Sequence, residues 1–215
     1  SYYAAKTMPD SEGNRIHWGW ITETKTDSEL IAAGWAGAMS LPRVLSLSSE
    51  NELKTDVAPA ANQLRAAHAG FTANANPEVR QKVLDSLRIR DLAAELNLEF
   101  KPKTETFSIH LQSESGETFA TISCIDKAGS RELHVNTVIA PLGGAHRSPV
   151  RLRIFLDGSI LEVFANGTTA LTARIYQIPN QALRMRLEGE AELATLDAWQ
   201  MTPISKDRLT GSLCS

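Results

Sequence analysis

A chain of 215 residues is long enough to bury one sizeable core, or one domain and part of another. With 42% apolar and 22% charged residues it reads as an ordered globular protein, and 22 basic against 25 acidic side chains leave a net charge of −3, which excludes the basic footprint that nucleic acid or an anionic membrane surface would need. No apolar run approaches the roughly 18 residues of a spanning helix, and no basic segment leading into an apolar stretch marks the N-terminus, so no membrane partner is expected.

The first 47 residues read as short strands, "SYYAAKTM", "RIHWGWI" and "AGAMSLPRVLSL", separated by the turn-forming "PDSEGN" and the polar "TETKTDSE". Three of the four tryptophans fall here, and alternation predicts Ile16, Trp18 and Trp20 on one strand face against His17, Gly19 and Ile21 on the other. An antiparallel set of three strands barely supports itself in water, and this one carries too much aromatic surface to stand alone. Residues 48–75 turn to Ala, Asn and polar positions, and "APAANQLRAAHAG" predicts a connector with a short helical turn stopping at Gly70. "PEVRQKVLDSLRIRDLAAEL" is ambiguous: Val79, Val83 and Leu87 fit helical spacing, while Leu87 and Ile89, then Leu96, Leu98 and Phe100, fit a period of two, favouring strand from about Leu87.

From residue 95 onward short alternating runs follow one another, from "ELNLEF" through "VRLRIFLD" and "ILEVFAN" to "ELATLDAW", most bounded by Gly, Asp, Asn or Pro. Asp157-Gly158 and Asn166-Gly167 predict tight hairpins, because those pairs accept positive φ. Eight or nine such strands predict an all-β fold, an antiparallel sandwich of two sheets. No repeat of fixed period stands out. The expected organisation is a strand-rich piece over 1–47, a linker over 48–75, the sandwich over 76–205 and a tail over 206–215.

The candidate chemistry is sparse. Glycosidic-bond cleavage needs two carboxyl groups facing each other across the bond. Asp157 and Glu162 are the tempting pair, but a turn residue and a strand-face charge explain both. The five histidines, His17, His68, His110, His134 and His146, lack metal-ligand spacing, although His110 and His134 on predicted strands could converge. No metal and no cofactor are expected. Cys124 and Cys214 form no disulfide framework and are read as free thiols. Asn166-Gly167-Thr168 is a formal glycosylation sequon whose simpler meaning is the turn. Trp18 and Trp20, on one side of one strand, can be sheet packing or can hold the apolar C–H face of a sugar.

"YYAAKT", "GNRIHWGWI" and "GWAGAMSLPRVLSL", in that order, resemble the last part of the catalytic propeller of glycoside hydrolase family 32, the invertases, levanases, inulinases and other β-fructofuranosidases. "ENELKTDVAPAANQLR" resembles the linker leaving that propeller, and "LRIFLDGSILEVFANG" with "ALTARIY" resembles the signature strands of the family's C-terminal sandwich. The resemblance covers nearly the whole chain and is weakest over residues 70–105.

It implies a remnant of the last blade of a five-bladed propeller ahead of the sandwich, and a parent reaction of retaining hydrolysis at fructosidic bonds in sucrose or fructans. The family's nucleophilic Asp in Asn-Asp-Pro-Asn, stabilising Asp in Arg-Asp-Pro and acid/base Glu before Cys all precede the matched region. None of these motifs occurs in this sequence, where the cysteines follow Ser123 and Leu213. Some 47 residues amount to about one blade or less, and several blades must close radially to hide their edges. The resemblance therefore implies no catalytic residue on this chain, with Trp20 and, more weakly, Trp18 as sugar-lining groups. An Asp usual in the family just before the first motif is Ser1 here. Beginning at Ser1 rather than Met suggests a processed, excised or truncated product. Expected partners are a fructoside bound through the parent enzyme, an N-terminal propeller polypeptide, and a second copy paired through exposed blade strands. The compartment stays open, with the resemblance favouring extracellular or periplasmic over cytoplasmic.

Overall fold

The computed structural model describes residues 2–127, 129–177 and 179–205. Ser1 and the whole of the expected 206–215 tail, Cys214 included, lie outside them. The chain divides into two compact units, Ser1–Pro59 and a second beginning at Ala60.

The first unit is one antiparallel sheet. Its strands β1 (Tyr2–Pro9), β2 (Arg15–Ile21), β4 (Arg43–Leu47) and β5 (Leu53–Val57) lie side by side, and the two-residue β3 (Ala38–Met39) also pairs with β2. The β1–β2 turn closes because the Asp10 carboxylate accepts from the backbone N–H of Glu12 and Asn14, at 2.9 and 2.8 Å. The polar stretch between β2 and β3 holds a helix, α1 (Asp27–Ala33), where the sequence suggested only a separator. Its cause is a capping box: the Thr26 hydroxyl accepts from Glu29 N–H while the Glu29 carboxylate accepts from Thr26 N–H at 2.8 Å.

Residues 48–75, expected as a connector with a short helical turn, also contain two strands, one in each unit's sheet. β5 pairs with β4 along its whole length, from Arg43↔Val57 to Leu47↔Leu53. A 3-10 helix (Pro59–Leu64) follows, and then the alanine-rich "RAAHAGF" is a strand, β6 (Arg65–Phe71). Alanine favours helix in isolation, but here the ladder to a neighbouring strand, Phe71↔Leu196 through Arg65↔Met201, supplies the hydrogen bonds and overrides propensity.

The second unit is a two-sheet sandwich. After β6 comes α2 (Pro77–Ser86), with Asn76 as N-cap and Pro77 at the first position. Strand character resumes only with an isolated bridge, Ile89↔Leu183, and then β7 (Ala93–Pro102). There follow β8 (Thr106–Gln112), β9 (Thr118–Lys127), β10 (Ser130–Val135), β11 (Val138–Pro141), β12 (Val150–Asp157), β13 (Ile160–Ala165), β14 (Thr169–Arg174), β15 (Arg184–Glu188) and β16 (Ala191–Met201). One sheet runs β11-β10-β9-β8-β15 and the other β14-β13-β12-β7-β16-β6, all neighbours antiparallel. Alternate residues such as Leu96, Leu98 and Phe100 face Ile109, Leu111 and Ile122 in one contiguous apolar core.

Both predicted hairpins form, each with a small shift. Asp157 is still paired, with Ile160, so the turn residues are Gly158, at φ +55°, and Ser159. Asn166 opens a three-residue loop closed by Ala165↔Thr169. A repeated construction that the spacing did not reveal is also present. Asn166 N–H donates to Arg151 O while its Oδ1 accepts from Arg151 N–H, both at 2.9 Å, and Asn136 makes the same two bonds to Thr121 at 2.9 Å each. Both asparagines have positive φ, +53° and +55°, so each side-chain amide extends its ladder by one carbonyl at a strand corner.

Candidate functional site

In the first unit the aromatic residues are organised around glycines. The Tyr2 ring lies on the bare backbone of Gly19, where an added Cβ would come within 2.2 Å of it. The Tyr2 hydroxyl lies 3.2 Å from Ser40 Oγ and 3.4 Å from His17 Nδ1, and the buried Arg43 guanidinium sits 4.4 Å above its ring. Burial, followed by the Arg43 charge, holds the His17 imidazole below its usual pKa. Sequence reading passed over this Tyr2–His17–Ser40–Arg43 cluster; its signal was the positions of Tyr and Arg within the motifs, and its geometry depends on contacts 15 and 38 residues apart.

Trp18 and Trp20 sit two residues apart on β2 with different surroundings. Trp18 is half-buried and paired with Lys6 on β1. Trp20 is 40% exposed, with Tyr3 opposite on β1 and Met39 opposite on β3, both exposed. The Tyr3 and Trp20 ring centroids are 6.4 Å apart, tilted by 58°. Burial does not follow the expected facial split, since Ile16 and Ile21, of opposite parity, are both buried.

In the second unit the ionisable groups are committed to structure. Glu95, fully buried on β7, accepts from Arg65 Nε and Nη2 and from Arg153 Nε, all at 2.7 Å. Burial alone would push its carboxyl up; the bonds from Arg65 and Arg153 outweigh it and hold the carboxyl below the usual range. The Arg65 guanidinium also lies 3.8 Å over the Trp199 ring. Asp126, 1% exposed, accepts from Arg147 N–H at 2.8 Å and faces His146 Nδ1 at 2.6 Å and Arg131 Nε at 3.0 Å.

The remaining histidines are scattered. His68 lies 2.8 Å from Asp197, His134 2.8 Å from Glu132, and His110 3.1 Å from Thr121 Oγ1 and 3.5 Å from Glu188. His110 and His134 share the outer face of the five-stranded sheet, because His134 pairs with Ser123, Ser123 with Ser108, and His110 is two residues on from Ser108. Two intervening strand spacings keep the imidazoles from converging. Among the described residues no group of three or more His, Cys, Asp or Glu side chains is placed to hold a metal ion. Glu162 is buried on β13 and Asp157 is exposed at the end of β12. Cys124 is a free, buried thiol whose pKa is pushed up to about 12 by burial.

Solved structures share this fold over the part that matches. Fructan 1-exohydrolase IIa from Cichorium intybus superposes with a TM-score of 0.74 at 20% identity, covering 94% of this chain and 48% of that one. Exo-inulinase from Aspergillus awamori gives 0.67 at 20% identity over 94% and 43%. Sequence relatives include sucrose-6-phosphate hydrolase of Staphylococcus xylosus, 28% identical over 83% of this chain and 37% of its own, and the extracellular exo-inulinase of Aspergillus niger, 26% identical over 94% and 41%. The family model for the glycosyl hydrolases family 32 C terminal matches residues 43–200, and that for the family's N-terminal domain matches residues 1–56. The chain belongs to glycosyl hydrolases family 32, with the β-sandwich of that family preceded by a remnant of its propeller. It spans about two fifths of the length of the curated relatives it matches.

Proposed function

We propose that this chain is the C-terminal portion of a β-fructofuranosidase-type glycosidase whose complete form hydrolyses fructosidic bonds in sucrose or fructans with retention. The observation that carries this reading is the pair of adjoining family matches, over residues 1–56 and 43–200, on a chain that spans only 37–41% of such relatives. The first sheet, up to Pro59, is taken as the last propeller blade, ending about ten residues later than composition suggests because β5 belongs to it. Trp20, and less so Trp18, line the sugar site of the complete form.

Retaining hydrolysis needs a nucleophilic carboxylate and, about 5–5.5 Å from it, a second carboxyl group that starts protonated. Glu95 can serve as neither, because two guanidiniums hold it ionised and shield it from water. Asp126 is likewise engaged by Arg131, His146 and Arg147. This supports assigning the reacting carboxylates to an N-terminal propeller polypeptide that docks on the first sheet. Supplying such a polypeptide, with its Asn-Asp-Pro-Asn, Arg-Asp-Pro and Glu-Cys motifs, should create sucrose or inulin hydrolysis; a folded complex without turnover counts against the proposal.

A second reading, a non-catalytic carbohydrate-binding or assembly module, draws on the exposed Tyr3, Trp20 and Met39. β1 is poorly suited to pairing with another copy, since it carries Lys6, Pro9 and a register shift between Tyr3 and Lys6. Micromolar fructan binding by this chain alone in calorimetric titration, or a stable dimer by solution mass, would favour the second reading.

A further inference from the structure

We infer that Gly37 is the positioning residue for Trp20, a seat on which the indole is held so that its ring can meet a sugar. This rests on the sugar-lining reading of Trp20 proposed above. A Cβ built on Gly37 would lie 1.8 Å from Trp20 Nε1, 2.6 Å from Cε2 and 2.8 Å from Cδ1, so the pyrrole edge of the indole rests directly on the bare α-carbon. Gly37 also has φ +75°, a conformation that side chains rarely adopt. Its N–H donates to Glu23 Oε1 at 3.2 Å, and Glu23 stands two residues beyond the end of β2, so the seat is tied back to the strand that bears the tryptophan.

The consequence is a clamped indole edge on a side chain that is still 40% exposed, flanked by Tyr3 and Met39. A ring already fixed in its bound orientation loses little rotamer freedom when a ligand stacks on it. The same device holds Tyr2 on Gly19, but Tyr2 is turned into the Ser40–Arg43 cluster. The glycines of "WGW" and "WAG" thus do different things. One seats a ring inside the sheet's polar cluster, and the other seats a ring at the surface.

The test starts from the indole N–H resonances of the four tryptophans in the full chain, with that of Trp20 assigned by its loss in Trp20→Ala. Gly37→Ala is expected to displace the Trp20 resonance and leave that of Trp199, in the second unit, in place. Because Gly37→Ala also strains the loop, a double-mutant cycle with Trp20→Ala isolates the seat. The substitution should cost clearly less stability once the indole is gone. An unmoved Trp20 resonance together with equal cost in both backgrounds would overturn the inference. In the form complemented with an N-terminal polypeptide, Gly37→Ala should raise KM for sucrose about tenfold and change kcat less, the scale of one misplaced aromatic contact. If Trp20→Ala leaves that KM unchanged, the sugar-lining reading fails while the resonance shift still reports the seat.

Discussion

The hairpins β9–β10 and β12–β13 hold opposite solutions to the same position. One step in from each turn stands a directly paired couple: Asp126↔Arg131 in the first and Leu156↔Leu161 in the second. All four residues are buried. The leucines need nothing but the core, whereas the ion pair must be desolvated and is worth having only if its remaining hydrogen-bonding capacity is used. It is used on the loop at 142–149. Arg131 donates to Gly143 O, to Ser148 Oγ and to Ser148 O, and Asp126 accepts from Arg147 N–H and engages His146. Arg147 is held there at φ +53°. The two hairpins separate a pair that fills space from a pair that fixes a loop.

The sharpest way to break that contrast is to remove half of the ion pair. Asp126→Ala leaves Arg131 buried without its carboxylate and should cost about 3–5 kcal/mol in urea denaturation. Converting both residues to leucine, as in the other hairpin, should recover most of that loss while hydrogen exchange at 142–149 accelerates; unchanged exchange would show that the loop does not depend on the pair. Leu161→Ala should cost about 2–5 kcal/mol through the cavity it leaves, with no loop-specific effect.

Smaller effects come from the polar corners and from pH. Asn166→Ala deprives Arg151 N–H of its acceptor and should cost about 1 kcal/mol, as should Asn136→Ala at the matching corner. Thr26→Ala removes the α1 cap, with an expected loss of about 1 kcal/mol or less confined to the first unit. The pH responses of the two units should also differ. Glu95 has a folded pKa below its unfolded value, so its contribution is complete above the ordinary glutamate range and is lost as pH falls through the folded value. His17 is a base with a lowered folded pKa, so the first unit loses stability earlier, as pH drops below about 6.5. Denaturation curves across pH in the Glu95→Gln and His17→Gln variants check both windows.

The sandwich was legible because its strands alternate cleanly and their turns are marked by Gly, Asn and Asp. What escaped sequence reading has two causes. β6 is alanine-rich, so only its neighbour β16 makes it a strand, and α1 hides in a polar run that carries no apolar periodicity but does contain the Thr26–Glu29 capping signature. The Glu95 and Asp126 clusters join residues 58 and 20 positions apart, such as Arg153 with Glu95 and His146 with Asp126. Separations of that size leave no local pattern. For the candidate site, Trp18 and Trp20 were visible as residue types on a strand, while Gly37, Tyr2 and Arg43 gain meaning only from the ring contacts they make in three dimensions.

The most direct test of the proposed function is the rate of sucrose hydrolysis by this purified 215-residue chain alone, followed by fructose release. The expected result is a rate indistinguishable from buffer. Sustained turnover that co-purifies with the folded chain would contradict it, and would place two reacting carboxyl groups among residues here assigned to holding the sandwich together.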